Sequence, residues 1–299
     1  VPMTQLNQVV IPLDGSDDAE ITLPYGMELA RLFGSKLHLL SVDESGGADT
    51  TNLYQSYLAQ LDTRLKEKYP DLADTWQTYL QKGKATDEIP RFIQDQSIDM
   101  LILAAHGASG RGASQVGKTA NKILTSTEKP VLLVKSPAPE QKPLIRRILV
   151  PLDGSGIGQA AINLVASIAP TLKAEVILIQ VVEPVRYMPS IDGLGAYTLP
   201  INDAEIEEEA TGFLNRRAEE LRIKGITVST VVKTGAPTEI VLNYAAENSI
   251  DLIAMSTHGL SGLSRWVFGS VTEKIMQYGT IPVLVVRPDP PASDDKPAD

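Results

Sequence analysis

Most of this chain occurs twice. VVIPLDGSDDAEITL, from Val9, returns as ILVPLDGSGIGQAAI from Ile148, so Asp14 corresponds to Asp153, 139 residues on. GKATDEIPRFIQDQSIDMLILAAHGASG, from Gly83, returns as GAPTEIVLNYAAENSIDLIAMSTHGLSG from Gly235, now at an offset of 152. KPVLLVKSP and IPVLVVRPD keep that second offset, so the second copy gains thirteen residues between its first and third strands. A unit of about 145 residues is an ordinary domain size, and two copies of one unit imply one fold used twice. The expected division is a first domain over 1–135, a Pro-rich polar linker over 136–144, a second domain over 145–288 and a disordered tail over 289–299.

Each copy alternates strand and helix. Val9–Leu13 is an apolar run closed by Asp14-Gly15-Ser16, a turn and helix cap. Ile21, Tyr25, Leu29 and Leu32 follow at helical spacing as a single helix that Gly34 ends. Strand Leu37–Val42, a helix through Leu53, Tyr57, Leu61 and Leu65, strand Trp76–Leu80, helix Ile89–Ile93, strand Met100–Ala104, helix Gly117–Leu124 and strand Val131–Val134 complete the unit. The second copy repeats it with strands Ile148–Leu152 and Val176–Val182 and a helix over Ala204–Lys224. Before that helix, the 183–203 segment carries Pro184, Pro189 and Pro200 with Gly193 and Gly195. Its Tyr187, Met188 and Tyr197 suggest a loop with something to pack on, so a lid over the second site or the domain junction is expected. Strands alternating with helices predict an α/β fold, a parallel sheet covered on both faces with right-handed crossovers. The short fifth strands, Val131–Val134 and Val283–Val286, are edge candidates expected to pair the domains as a pseudo-dimer. Assembly of the tandem chain into a homodimer is left open.

Composition excludes several classes. Net charge is −10, and no basic run exceeds Arg146-Arg147 or Arg216-Arg217, so a nucleic-acid partner is not expected. Cysteine is absent, which suits a reducing cytoplasm. No apolar run approaches membrane-spanning length, and the N-terminal segment lacks signal-peptide design, so a cytoplasmic protein with no membrane partner is expected. Three histidines without HExxH or paired cysteines give no metal cage from protein side chains.

One stretch carries chemistry. Leu252–Met255 reads as a buried strand; Ser256-Thr257-His258-Gly259, a spacer holding Gly262, and Gly269-Ser270 at a helix start follow it. A strand, a glycine-bearing loop and a helix N-terminus can cradle phosphate, because glycine lets backbone N–H groups close on it and the first turn has unpaired donors. A βα connection that binds nothing has the same spacing.

Ser256-x2-Gly259-x9-Gly269-Ser270 resembles the ATP-binding loop of the universal stress protein family, G-x2-G-x9-G-[ST], at three of its four fixed positions. The resemblance covers nearly the whole chain twice, as in the tandem two-domain type. It implies two doubly wound domains, each a five-stranded parallel sheet of order 3-2-1-4-5, with ligands at the switch point between strands one and four. It further implies an ATP-binding stress-response regulator, with AMP or ADP as alternatives and Mg²⁺ carried by the phosphates. The residues implied are Pro151, Asp153, Val181, Met255, Ser256, His258, Gly259, Gly262, Gly269, Ser270 and Val271. Pro12, Asp14, Val42, Gly107, Gly117 and Lys118 mark a weaker first-domain site, because Ala104 and Lys118 depart from the pattern there. Gly112-x4-Gly117-Lys118-Thr119 also satisfies the Walker A spacing, but the strand before it ends near Ala105, too early for a P-loop. No activated nucleophile or base can be assigned, so catalysis is left open; a slow ATPase or phosphotransferase and a nucleotide-free interaction module are the alternatives.

Overall fold

The computed structural model describes residues 6–107, 116–140, 143–154, 158–183, 188–189, 196–197, 203–257 and 268–288. In the first half the order is β1 (Gln8–Pro12), α1 (Asp17–Glu20), α2 (Leu23–Phe33), β2 (Lys36–Asp43), α3 (Ala48–Lys68), β3 (Trp76–Lys82), α4 (Ala85–Asp95), β4 (Met100–Ala104), α5 (Lys118–Ser126) and β5 (Val131–Val134). The second half runs β6 (Arg147–Leu152), α6 (Gln159–Leu172), β7 (Glu175–Val182), β8 (Met188–Pro189), β9 (Ala196–Tyr197), α7 (Asp203–Arg222), β10 (Val228–Thr234), α8 (Pro237–Glu247), β11 (Leu252–Ser256), α9 (Ser270–Tyr278) and β12 (Val283–Val286).

Ten of the strands form one sheet, in the order β10-β7-β6-β11-β12-β5-β4-β1-β2-β3, and β8 pairs separately with β9. Each half has the expected 3-2-1-4-5 order, with parallel neighbours. The fifth strands meet as expected: β5 and β12 pair antiparallel, Leu132 opposite Leu284, so the two five-stranded halves run on as one continuous sheet. Both strands are fully buried Val/Leu runs, and pairing satisfies edges that water would otherwise have to solvate. Each face then carries one apolar core that crosses the junction. One gathers residues of α2, α3, α6 and α7; the other gathers residues of α4, α5, α8 and α9.

The single helix expected after β1 is broken. Pro24 sits in the first turn of α2, with Thr22 as N-cap. A proline deeper inside one long helix would clash with the carbonyl four residues back, so the helix restarts at Leu23 instead.

A repeated aspartate sets the register that creates the switch point. Asp99 Oδ2 accepts from the backbone N–H groups of Asn7 and Gln8 at 2.8 and 2.9 Å. Asp251 Oδ2 does the same for Arg146 and Arg147 at 2.8 and 3.0 Å. In both halves the preceding serine, Ser97 or Ser249, turns the chain at φ 51°. A carboxylate before strand four thus clamps the start of strand one beside it.

The halves also cap each other. Lys135 follows β5 and donates to the Gly279 carbonyl at the end of α9, 2.8 Å away. Arg287 follows β12 and donates to the Leu124 and Thr125 carbonyls near the end of α5. These are equivalent positions of the repeat, each placing a cation on the negative end of the other half's helix. Burial pulls the Lys135 amine down to about 8. On the other face Glu28 Oε1 accepts from Leu144 N at 2.7 Å, which ties α2 to the chain entering β6. Burial, with Asp251 and Glu28 nearby, pushes the adjacent Tyr25 phenol up to about 12.

Candidate functional site

Among the described residues, the strand-one turn and the loop closure at the carboxyl ends of strands one and four are alike in both halves. Asp14 follows β1, and Gly15 turns there at φ +84°; Asp153 and Gly154, at φ +80°, repeat this after β6. Asp14 Oδ1 accepts from the Ser16 amide at 3.0 Å and hydroxyl at 2.5 Å, and the Ser16 hydroxyl in turn caps Ala19 N. Gly107 comes off β4 directly against Asp14, where a Cβ would collide with the carboxylate Oδ2. The loop beyond is closed at its base by Gly117 N donating to the Ala105 carbonyl at 2.8 Å. A Cβ on Gly117 would lie 3.2 Å from that same carbonyl. Gly269 N closes the second loop on the Thr257 carbonyl with the same 2.8 Å bond. Each closure delivers a helix N-terminus, that of α5 or α9, to the crevice. Both helices have a glycine as N-cap, and among the described residues no side chain caps their first turn.

Among the residues expected at the second site, Pro151 is half-buried near the end of β6 and Asp153 is exposed. Val181, Met255 and Val271 pack on the sheet face shared with α8 and α9. Ser270 is exposed as the first residue of α9, behind half-buried Gly269. Ser256 is tied into the fold. Its hydroxyl accepts from Ala161 N at 3.2 Å, capping the third residue of α6, and its carbonyl accepts from Thr272 Oγ1 at 3.1 Å. A glycine there could make only the second contact. His258, Gly259 and Gly262 lie outside the described residues. In the lid segment the described part is β8 with β9, Met188 opposite Tyr197; Tyr187 lies outside it.

In the first half Pro12 is half-buried, Val42 is buried in the same core as Val181, and Lys118 is exposed at the start of α5. The Walker-like segment 112–115 lies outside the described residues; its Lys118 belongs to the helix that Gly117 starts.

The surroundings of the two crevices differ. At the end of β2, Asp43 is fully buried and accepts four hydrogen bonds, from Ser45 N and Oγ, Gly46 N and Thr51 Oγ1, at 2.6 to 3.1 Å. The Thr51 and Ser45 hydroxyls hold its carboxyl below the usual range. This pins a four-residue connection and brings α3 over the crevice. The Tyr57 ring lies over Gly15, and its hydroxyl donates to Glu20 at 3.1 Å. Tyr54 stands near Asp14, Asp43 and Glu44; burial first and these carboxylates second push its phenol up. In the second half the residue equivalent to Asp43 is Val182, and 20 residues separate it from α7. The sequence pattern marked neither the Asp43 anchor nor the Asp99 and Asp251 clamps, although the clamps left a signal: Ser-Ile-Asp stands unchanged at 97–99 and 249–251.

Among the described residues no helix is long and apolar enough to cross a membrane, and no three His, Asp or Glu side chains are placed to hold a metal ion. The fold thus defines a tandem, doubly wound α/β protein with a switch-point crevice in each half. The model of the universal stress protein family matches residues 6–135 and again 144–287, and the chain belongs to that family. Universal stress protein Slr1230 of Synechocystis sp. is 24% identical over 311 residues, covering 94% of this chain and 100% of its own. Universal stress protein YxiE of Bacillus subtilis is 30% identical over 148 residues, 48% of this chain and 100% of its own. A solved putative universal stress protein from Pseudomonas aeruginosa has the same fold: TM-score 0.70 at 17% identity, over 96% of this chain and 95% of the other.

Proposed function

We propose that the second half binds ATP and that the protein acts as a nucleotide-responsive regulator. The observation that carries this reading is the apposition of Gly107 and Asp14, where a Cβ on the glycine would meet the carboxylate Oδ2. Gly259 and Asp153 are the equivalent pair. Asp153 and the backbone of Val181 would hold the nucleoside, while Gly259, Gly269, Ser270 and Val271 would offer N–H groups to the phosphates. Mg²⁺, where present, would ride on the phosphates. The first-half crevice is the weaker site. Lys118 opens α5 where Ser270 opens α9, three carboxylates surround Tyr54, and α3 lies across the Gly15 turn. The domain limits proposed are those of the repeat, 1–135 and 145–288. The β5–β12 junction supports reading the chain as an intramolecular pseudo-dimer.

Calorimetric titration of the full chain with ATP tests this reading, with one site per chain expected. Gly259→Val, which adds bulk and restricts the backbone, should weaken binding by about tenfold or more. Wild-type affinity in that variant would remove the loop from the site. Hydrolysis measured with and without Mg²⁺ separates a regulator from a slow ATPase.

A further inference from the structure

Among the described residues three buried side-chain polar atoms have no hydrogen-bond partner: His38 Nδ1, Gln159 Oε1 and Gln180 Oε1. Both glutamines flank the Asp153 turn. Gln159 is the first residue of α6, just beyond it. Gln180 lies on β7 opposite Leu152, with its amide against the turn: a Cβ built on Gly154 would sit 3.2 Å from Nε2. Leaving a buried acceptor unpaired is costly, so amides kept in this state point to a donor that arrives from outside the fold.

The repeat supplies an internal control. Gln180 corresponds to Ser41, fully buried, whose hydroxyl donates to the Leu13 carbonyl at 2.8 Å. Gln159 corresponds to Glu20, which accepts from Tyr57 and Arg64 at 3.1 and 2.7 Å. The first half satisfies both positions from within, and the second half leaves both open beside the same turn.

We infer that Gln180 is the base-selecting residue of the second-half site, an inference that rests on the proposed nucleotide binding there. A carboxamide pairs through two hydrogen bonds with an edge that offers one donor and one acceptor, as adenine does. Turning the amide over exchanges its oxygen and nitrogen, so the side chain can present both atoms to adenine's 6-amino group and N7. Gln180 is assigned to the N7 edge, where a 6-oxo purine offers two acceptors, O6 and N7, so the amide oxygen stays unpaired against it. Gln180 therefore favours ATP over GTP, while the phosphates contribute equally to both.

Titration of the full chain with ATP and with GTP tests this. Wild-type protein should prefer ATP by about tenfold or more. Gln180→Leu, of similar length without polar atoms, should bring the two affinities within about twofold, chiefly by weakening ATP. Gln180→Ser installs the first half's own residue and serves as the second variant if the leucine variant fails to fold. An ATP preference that survives both substitutions, or no preference in the wild type, overturns the role of Gln180 and leaves the nucleotide site standing. Absence of binding by both nucleotides in the wild type overturns the site and this inference together.

Discussion

Asp43 and Val182 hold the same place in the two halves, at the end of strand two, and the chain does opposite things after them. Asp43 gathers four hydrogen bonds and turns the backbone within four residues into α3, whose tyrosines settle over the Asp14 turn. Val182 can gather none, and 20 residues follow before α7. Glu20 and Ser41 close their positions from within the first half, whereas Gln159 and Gln180 keep unpaired oxygens in the second. One half of the duplicated fold thus satisfies these positions with its own hydrogen bonds, and the other leaves them unpaired. The parts that did not diverge, the Asp99 and Asp251 clamps and the Gly117 and Gly269 closures, are those that build the crevice.

The contrast between the sites breaks most completely if the first can be opened. Lys118→Ser combined with Ala104→Gly should raise ATP stoichiometry in calorimetry from about one toward two, because it removes a cation opposed to the α5 dipole and a methyl beside the loop. Two tight sites in the unmodified chain would mean that Lys118 serves the phosphate.

The shared framework should respond equally in both halves. Asp99→Ala and Asp251→Ala each remove two hydrogen bonds to a carboxylate and should each cost about 2–3 kcal/mol in denaturant unfolding. A large difference between them would show that the two clamps do not carry equal weight.

Across the junction the equivalent cations should titrate differently. Lys135 is charged in both folded and unfolded chains below about pH 8. Between there and its ordinary range the folded amine is neutral while the unfolded one still binds a proton, so stability rises with pH over that window. Lys135→Met should flatten the rise, by about 1–3 kcal/mol in unfolding free energy. Arg287→Met should leave it in place.

His38 gives the smallest effect. It is buried, stacks on Tyr79 at 5.2 Å, meets Phe92 edge-on and shares a 2.7 Å hydrogen bond with Gln8; burial, then Lys36, pulls its pKa down. The folded ring stays neutral where the unfolded one charges, so stability falls as pH drops through about 6.5. Ile177 is its counterpart, and His38→Ile should remove that acid slope while changing neutral-pH stability by less than about 1.5 kcal/mol. An unchanged slope in urea unfolding at pH 5 and 7 would place the titrating group elsewhere.

The sequence by itself determined the duplication, the alternation of strand and helix, and the register of the Asp-Gly turn and the glycine loop. Each of these is local: apolar periodicity, turn chemistry and spacing act over a few residues. Tertiary structure decided the rest. The pairing of the two Val/Leu edges was legible in the sequence, but only the closed sheet lets Lys135 and Arg287 reach each other's helices. Ser256 stands at a glycine position of the loop pattern, yet its hydroxyl caps α6, 95 residues away in sequence. Gln180 sits at the end of an apolar strand and gains meaning from Gly154, which folding sets beside it. Whether a polar group is satisfied depends on partners far along the chain, and only the assembled fold brings those partners within hydrogen-bonding distance.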